Sequence, residues 1–222
     1  MSWAPLWLSL QVATLSMLLA LVFGTAIAVA LTWKKLPARD FLYSLSLAPL
    51  VLPPTVLGYY LLVAFGTDSA IGRAWHWLTG GDIVFSFTGA VIAGAVGSLP
   101  LVVRATRVGI EGIDPSLIAA ARTLGASPLR VLLTVVLPLA SPAIIAGAML
   151  AFARAMGDYG ITQMVAGQMI DGTETASIHV MNALYGGREI DARNMSLVTT
   201  LVGVTLLYVA NKLLKKLSGS HV

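Results

Sequence analysis

Residues 7–32 carry no charged side chain and are mostly apolar. A bilayer crossing takes about 20 such residues in a row, so this run reads as a membrane-spanning helix. Trp3, Trp7 and Trp33 bracket it, as aromatic residues do at the two interfaces, and Lys34, Lys35 and Arg39 follow at once. Residues 1–8 hold no basic residue, so the run reads as a retained span and not as a cleaved leader. Composition agrees over the whole chain. It is 57% hydrophobic and 11% charged, whereas soluble domains have about 25% charged residues. The formal charge of +4 sits beside the apolar runs, where it marks membrane sidedness and not nucleic-acid binding. There is no cysteine, which excludes a disulfide scaffold and a thiolate metal site.

Four more spans follow. Residues 41–65 form the second, interrupted by Pro49, Pro53 and Pro54, so a straight helix is not expected. Broken backbone at membrane depth must be buried in protein or line a cavity, which leaves two readings: a packed kink or part of a substrate path. Residues 66–86 read as an outer loop with a short interfacial helix around Trp75 and Trp77. His76 has no second histidine nearby and is read as a surface or packing residue. The third span covers residues 87–103, where Gly89, Gly94 and Gly97 permit close helix contacts. The fourth covers 139–156 and the last 195–210, closed by Lys212, Lys215 and Lys216. Residues 159–194 carry too many charges for another full crossing, and the apolar stretch 161–170 is too short for one. His179 reads as a loop or packing residue. With the N-terminus outside and the C-terminus in the cytoplasm, ten Lys and Arg residues fall inside and three outside, the asymmetry that membrane insertion favours.

Between the third and fourth spans lies a polar, cap-punctuated segment, 108–137. Asp114-Pro115 gives an N-cap and a proline in the first helical position. A short helix then reaches about residue 124, and Gly125 closes it in the left-handed conformation that glycine adopts at little cost. Ser127-Pro128 repeats the start signal. A second short helix is expected to end at Leu137, because Pro138 has no amide to continue the ladder. At the far end of the fourth span, Arg154 and Asp158 are four residues apart, on one face if the helix continues. An ionisable residue at membrane depth faces the bundle or a water-filled route. Arg154 is therefore read as a group steering an anion, as one half of an internal salt bridge, or as an arginine snorkelling to the interface.

No catalytic constellation is present. The chain lacks a Gly-rich loop ending in Gly-Lys-Ser or Gly-Lys-Thr, a His-Glu-x-x-His pair and a nucleophile elbow. If transport uses ATP, another subunit binds it. The spans hold almost no ionisable groups, which disfavours a proton relay.

The segment 119–138 resembles the coupling motif of ATP-binding-cassette importer permeases. Ala120, Ala121, Gly125, Val135, Leu137 and Pro138 match it, and Ala119 stands where that family usually has Glu. Three further stretches resemble molybdate permeases: 48–59 (APLVLPPTVLGY), 98–105 (SLPLVVRA) and 151–160 (AFARAMGDYG). In the last, Asp158 and Tyr159 replace the usual Glu and Phe. The resemblance implies an all-α polytopic membrane protein with five transmembrane helices and a cytoplasmic coupling helix, a type I importer permease. It implies one domain over 1–217 with a flexible tail at 218–222. It implies a homodimer in the bacterial inner membrane, two cytoplasmic ATPase subunits that carry ATP and Mg, an extracytoplasmic molybdate-binding protein and no cofactor in this chain. Ala119, Ala120, Ala121, Arg122, Gly125, Leu137 and Pro138 are then the expected ATPase contacts, and Pro53, Pro54, Arg154 and Asp158 the expected pore or gate. A sulfate or tungstate permease of the same fold is the alternative. An ion-coupled secondary transporter, a membrane scaffold and a membrane enzyme rank below it.

Overall fold

The computed structural model describes residues 3–32, 37–167 and 174–218. Trp33, Lys34, Lys35, Asp171 and the tail beyond Ser218 lie outside the described residues. The first helix, α1, spans Ala4–Leu31. Its buried edge is Ala13, Ser16, Ala20, Gly24 and Ala28, a stripe of small residues at three- and four-residue spacing. Leu18, Val22 and Phe23 point outward. In a membrane, where apolar side chains gain little by leaving lipid, such small residues let helices approach and pack.

The second span is two helices, α2 (Arg39–Val51) and α3 (Pro54–Phe65), set at 113° to each other. The bend is sharper than the interruption the sequence suggests. At about 1.5 Å per residue the two helices are about 20 and 18 Å long, each too short to cross alone. Yet the pair advances along its neighbour. A short helix, α4 (Ala70–Thr79), follows and is capped by the Ser69 hydroxyl, which accepts from the Gly72 amide. Then comes α5 (Phe87–Glu111), which runs about two turns beyond the expected end of the third span at residue 103. The Tyr43 ring of α2 lies under the Arg107 guanidinium near the C-terminal end of α5, whereas Leu61 of α3 packs with Ala93 near its N-terminal end.

The expected corner appears as α6 (Pro115–Thr123) and α7 (Pro128–Val131). The second helix does not end at Leu137. It passes through a π-helical turn, Leu132–Val136, into α8 (Leu137–Met156), forming a continuous apolar rod over Pro128–Met156. The residue four before Pro138, whose carbonyl its ring would meet in a regular helix, is Thr134, and it lies in the widened turn. The region left open at 159–194 contains α9 (Gly160–Val165) and α10 (Ala176–Tyr185). The last helix, α11, covers Glu189–Ser218, so it begins before the expected 195 and takes Asp191 and Arg193 into its first turns.

Among the described residues four helices, α1, α5, the α7–α8 rod and α11, are long and apolar enough to cross a membrane, and the bent pair makes a fifth if its two halves count as one span. Contacts give their directions. Ser16 of α1 donates to the Val91 carbonyl, and Gly24 rests against Val102, so α1 and α5 run parallel. Gly109 faces Ala143, Gly147 faces Ala105 and Gly94 faces Ala155, so α5 and α8 run antiparallel. Gly203 faces Met156, while Leu206 and Leu207 lie beside Met149, so α11 reverses again. Successive spans therefore alternate. The α6 corner sits at one end of the bundle, with α4, α9 and the start of α10 at the other.

Candidate functional site

At the corner end, Asp114 is the N-cap of α6: its carboxylate accepts from the Ser116 amide. Hydrogen bonds from the Ser116 backbone and hydroxyl hold this carboxyl below the usual carboxylate range. The helix closes with the Ala126 amide bonded to the Ala121 carbonyl and Gly125 at φ +80°. This is a Schellman-type ending that needs a left-handed residue. The Ser127 hydroxyl then accepts from the Arg130 amide and starts α7. No residue of α6 is buried. Leu124 is 89% exposed, Leu117 is exposed, and Ala119, Ala120 and Arg122 face outward while Ala121 is half-buried. Leu137 and Pro138, also expected at this site, start α8 beyond the π turn, half-buried and exposed respectively. The structure thus brings Ala119, Ala120, Ala121 and Arg122 onto one exposed helix with Gly125 in the turn that ends it, and sets Leu137-Pro138 on the rod that follows.

The expected gate residues gather at the opposite half. Leu52 and Pro53 are extended, with ψ 137° each, and Pro54 opens α3 in the first helical position. Pro53 supplies the carbonyl for the amides of Val56 and Leu57, so the break leaves that acceptor satisfied. α9 seats directly on this break. A Cβ on Gly160 would lie 2.7 Å from Pro54 Cβ, and one on Gly58 would lie 2.6 Å from Met164 Cβ. Leu57, Leu61, Ile161 and Val165 share one core cluster.

Arg154 and Asp158 do meet. The Arg154 Nη1 donates to Asp158 Oδ1 at 2.7 Å, although α8 ends at Met156 and Gly157 is its cap. The Asp158 Oδ2 accepts from both the amide and the hydroxyl of Thr162, each at 2.8 Å. The Asp158 side chain is 3% exposed and that of Arg154 33%. So the salt-bridge reading of the pair is the one observed. Sequence reasoning missed Thr162 and Gly160. The signal was present in the four-residue step from Asp158 to Thr162, but it depends on a new helix starting after Gly157. His179 belongs to a small network with Glu174, which also accepts from Asn182 and precedes α10. Ser9 of α1 accepts from the Ala176 amide and fixes the start of that helix. Among the described residues there is no group of three or more His, Asp or Glu placed to hold a metal.

Residues 10–218 match the family described as binding-protein-dependent transport system inner membrane component. The chain is 41% identical over 207 residues to the molybdenum transport system permease protein ModB of Escherichia coli K12, covering 92% of this chain and 90% of that one. It is 38% identical to the Haemophilus influenzae ModB, covering 97% and 96%. It is also 32% identical to the sulfate transport system permease protein CysT of Salmonella typhimurium, covering 96% and 81%. Among solved structures, the MetNI methionine ABC transporter in inward-facing form superposes with a TM-score of 0.73 at 17% identity, over 97% of this chain and 99% of that one. A bacterial ABC transporter involved in the import of alginate gives 0.72 at 12%, over 96% and 78%. With an alternating helical bundle, an exposed helical corner at one end and no catalytic constellation, the chain belongs to the binding-protein-dependent transport family, as the non-catalytic membrane permease subunit of an ATP-binding-cassette importer.

Proposed function

We propose that this permease imports molybdate as a homodimer whose two copies enclose the pore. Two cytoplasmic ATPase subunits carry ATP and Mg, and an extracytoplasmic molybdate-binding protein delivers the anion. The observation that carries the coupling role is the α6 corner: an exposed apolar helix, capped at both ends, projecting from the rod that forms a span. Ala119, Ala120, Ala121, Arg122 and Gly125 would enter a groove of the ATPase, with Leu137 and Pro138 at the base of the same lever. Closure of the ATPase pair around ATP draws two such corners together and switches the pore between inward- and outward-open states, a rigid-body transition of two packed arrangements. The lipid-accessible apolar face of α11, with Leu197, Leu201 and Val204 exposed, supports pairing with a second copy. The ten-to-three distribution of Lys and Arg supports a cytoplasmic α6, an outer N-terminus and a cytoplasmic C-terminus in the inner membrane of a bacterium. Pro53 and Pro54, at the break beneath α9, are the proposed gate.

Molybdate is preferred because the chain is 41% and 38% identical to two ModB proteins and 32% identical to CysT. The similarity to CysT over 96% of the chain keeps sulfate as the second reading, since both anions are tetrahedral dianions. The test is ATP-dependent uptake of labelled molybdate into liposomes holding this permease and its partner ATPase, with the binding protein outside. Competition by tungstate and not by sulfate is expected. Competition by sulfate moves the protein to the sulfate branch. No uptake of any of these anions by an assembled, hydrolysing complex overturns the substrate assignment.

A further inference from the structure

We infer that Asp158 is a positioning residue that latches the α8 rod to the broken second span, so that movement of the coupling corner reaches the gate. This rests on the importer reading and adds a part to it. A buried carboxylate is costly near membrane depth, and well-packed apolar side chains at such a site are often as stabilising or more so. What apolar packing does not supply is direction. Asp158 accepts three hydrogen bonds from two elements: one from Arg154, in the last turn of α8, and two from Thr162, in α9. Between those elements the chain is only the short non-helical link around Gly157 and Tyr159. The carboxylate closes that link.

The path on either side is continuous. Toward the corner, Arg154 is on the rod Pro128–Met156, whose other end follows Ser127 and the α6 corner directly. Toward the gate, α9 and α3 are in backbone-close contact at Gly160 on Pro54 and at Gly58 on Met164, and they share a core, so they move as one body. α9 has a second seat, because Ile161 lies over Gly97 of α5. Loss of the latch therefore leaves α9 packed and the fold intact while removing the direct bond between the α3–α9 body and the rod, which then meet through α5. This assigns Arg154 to the joint, in place of direct anion steering.

The test uses the permease–ATPase complex in liposomes with the binding protein, measuring molybdate uptake and ATP hydrolysis together. Asp158→Asn keeps the shape and removes the charge. It is expected to hydrolyse ATP near the wild-type rate and to lower uptake per ATP by about tenfold, the size of a typical coupling between sites. Arg154→Gln should do the same, and the double variant should be no worse than either single one, because both remove one joint. Asp158→Glu, which keeps the charge, should restore most of the ratio. Thr162→Val, which removes only the hydroxyl, should lower it partially and serves if Asp158→Asn does not assemble. An unchanged ratio in Asp158→Asn or, failing assembly, in Thr162→Val overturns the latch. So does an Arg154→Gln variant with a raised KM for uptake while Asp158→Asn, with its guanidinium freed, transports normally. If the wild-type complex hydrolyses ATP without importing molybdate, the substrate assignment fails by itself. Hydrogen exchange of the same complex then decides the latch. Asp158→Asn, or Thr162→Val in its place, must raise exchange at residues 160–165 and 54–58 together. A rise confined to 158–162, or no rise, overturns it.

Discussion

Gly125 stands at φ +80° with nothing within 4 Å of where a Cβ would be placed. Its constraint in this chain is therefore backbone conformation and not space. An L-residue held in the left-handed region costs about 1–2 kcal/mol. Gly125→Ala should thus weaken the corner although alanine fits, and Gly125→Asn should fall between the two, since asparagine tolerates that region better. Stimulated ATP hydrolysis by the assembled complex checks this order, and equal rates in all three would show that the corner geometry does not matter. The same residue illustrates what a sequence reveals. A Gly one helix-length after Asp-Pro is a stop signal read without any structure, because local sterics alone decide it. Thr162 was not legible in that way. Its role depends on Asp158 being held in place by a helix that starts only because α9 finds a seat on α3.

At the scale of elements, the π turn Leu132–Val136 joins corner to span. A π turn is one residue longer than the α-helical turn it replaces and often marks a functional position. Deleting Thr134 should convert it to regular helix, set the Leu133 carbonyl against the Pro138 ring and so kink or break the rod where it joins the corner. The melting temperature should fall, because a proline inside a regular helix costs about 3 kcal/mol, and co-purification with the ATPase should be lost. Retained co-purification would mean that the angle of α6 is not what the ATPase reads. The sequence placed this helix's start at Ser127-Pro128 correctly but ended it at Pro138. A proline stops a helix only where its ring meets the carbonyl four residues earlier, and the widened turn removes that meeting. The bent pair α2–α3 carries the same lesson in reverse. Pro53-Pro54 announces a break, but the angle of 113° follows from where α5 and α9 receive the two halves.

For the whole molecule, packing rests on glycines at helix crossings. A Cβ on Gly147 would lie 2.8 Å from Ala105 Cβ and 3.2 Å from Val102 Cα, so α5 and α8 touch there at backbone distance. Gly147→Leu should destabilise by about 1–3 kcal/mol, as overpacking a close crossing does. A lowered melting temperature in detergent checks it, against an unchanged one for a substitution at the open, lipid-facing Val22. Sidedness has its own test, helped by the absence of native cysteine. Gly81→Cys, at the α4 end of the bundle and in open space, should react with a membrane-impermeant thiol reagent in intact cells. Thr123→Cys, on the corner, should not until the membrane is opened. The opposite pattern would invert the proposed orientation.

The sequence by itself determined that this chain crosses a membrane, that the glycines of its third span permit close helix contacts, and that a capped corner separates two of its spans. Those properties arise from apolar run length, charge placement and local backbone sterics, all of which act between near neighbours. Only the tertiary structure decided that the prolines of the second span make a sharp turn, that the corner is continuous with a span, and that Arg154 and Asp158 bond to each other and to Thr162. The first two depend on which distant element fills the space, and the third on a helix that starts after Gly157, so the four-residue spacing permits these bonds without deciding them.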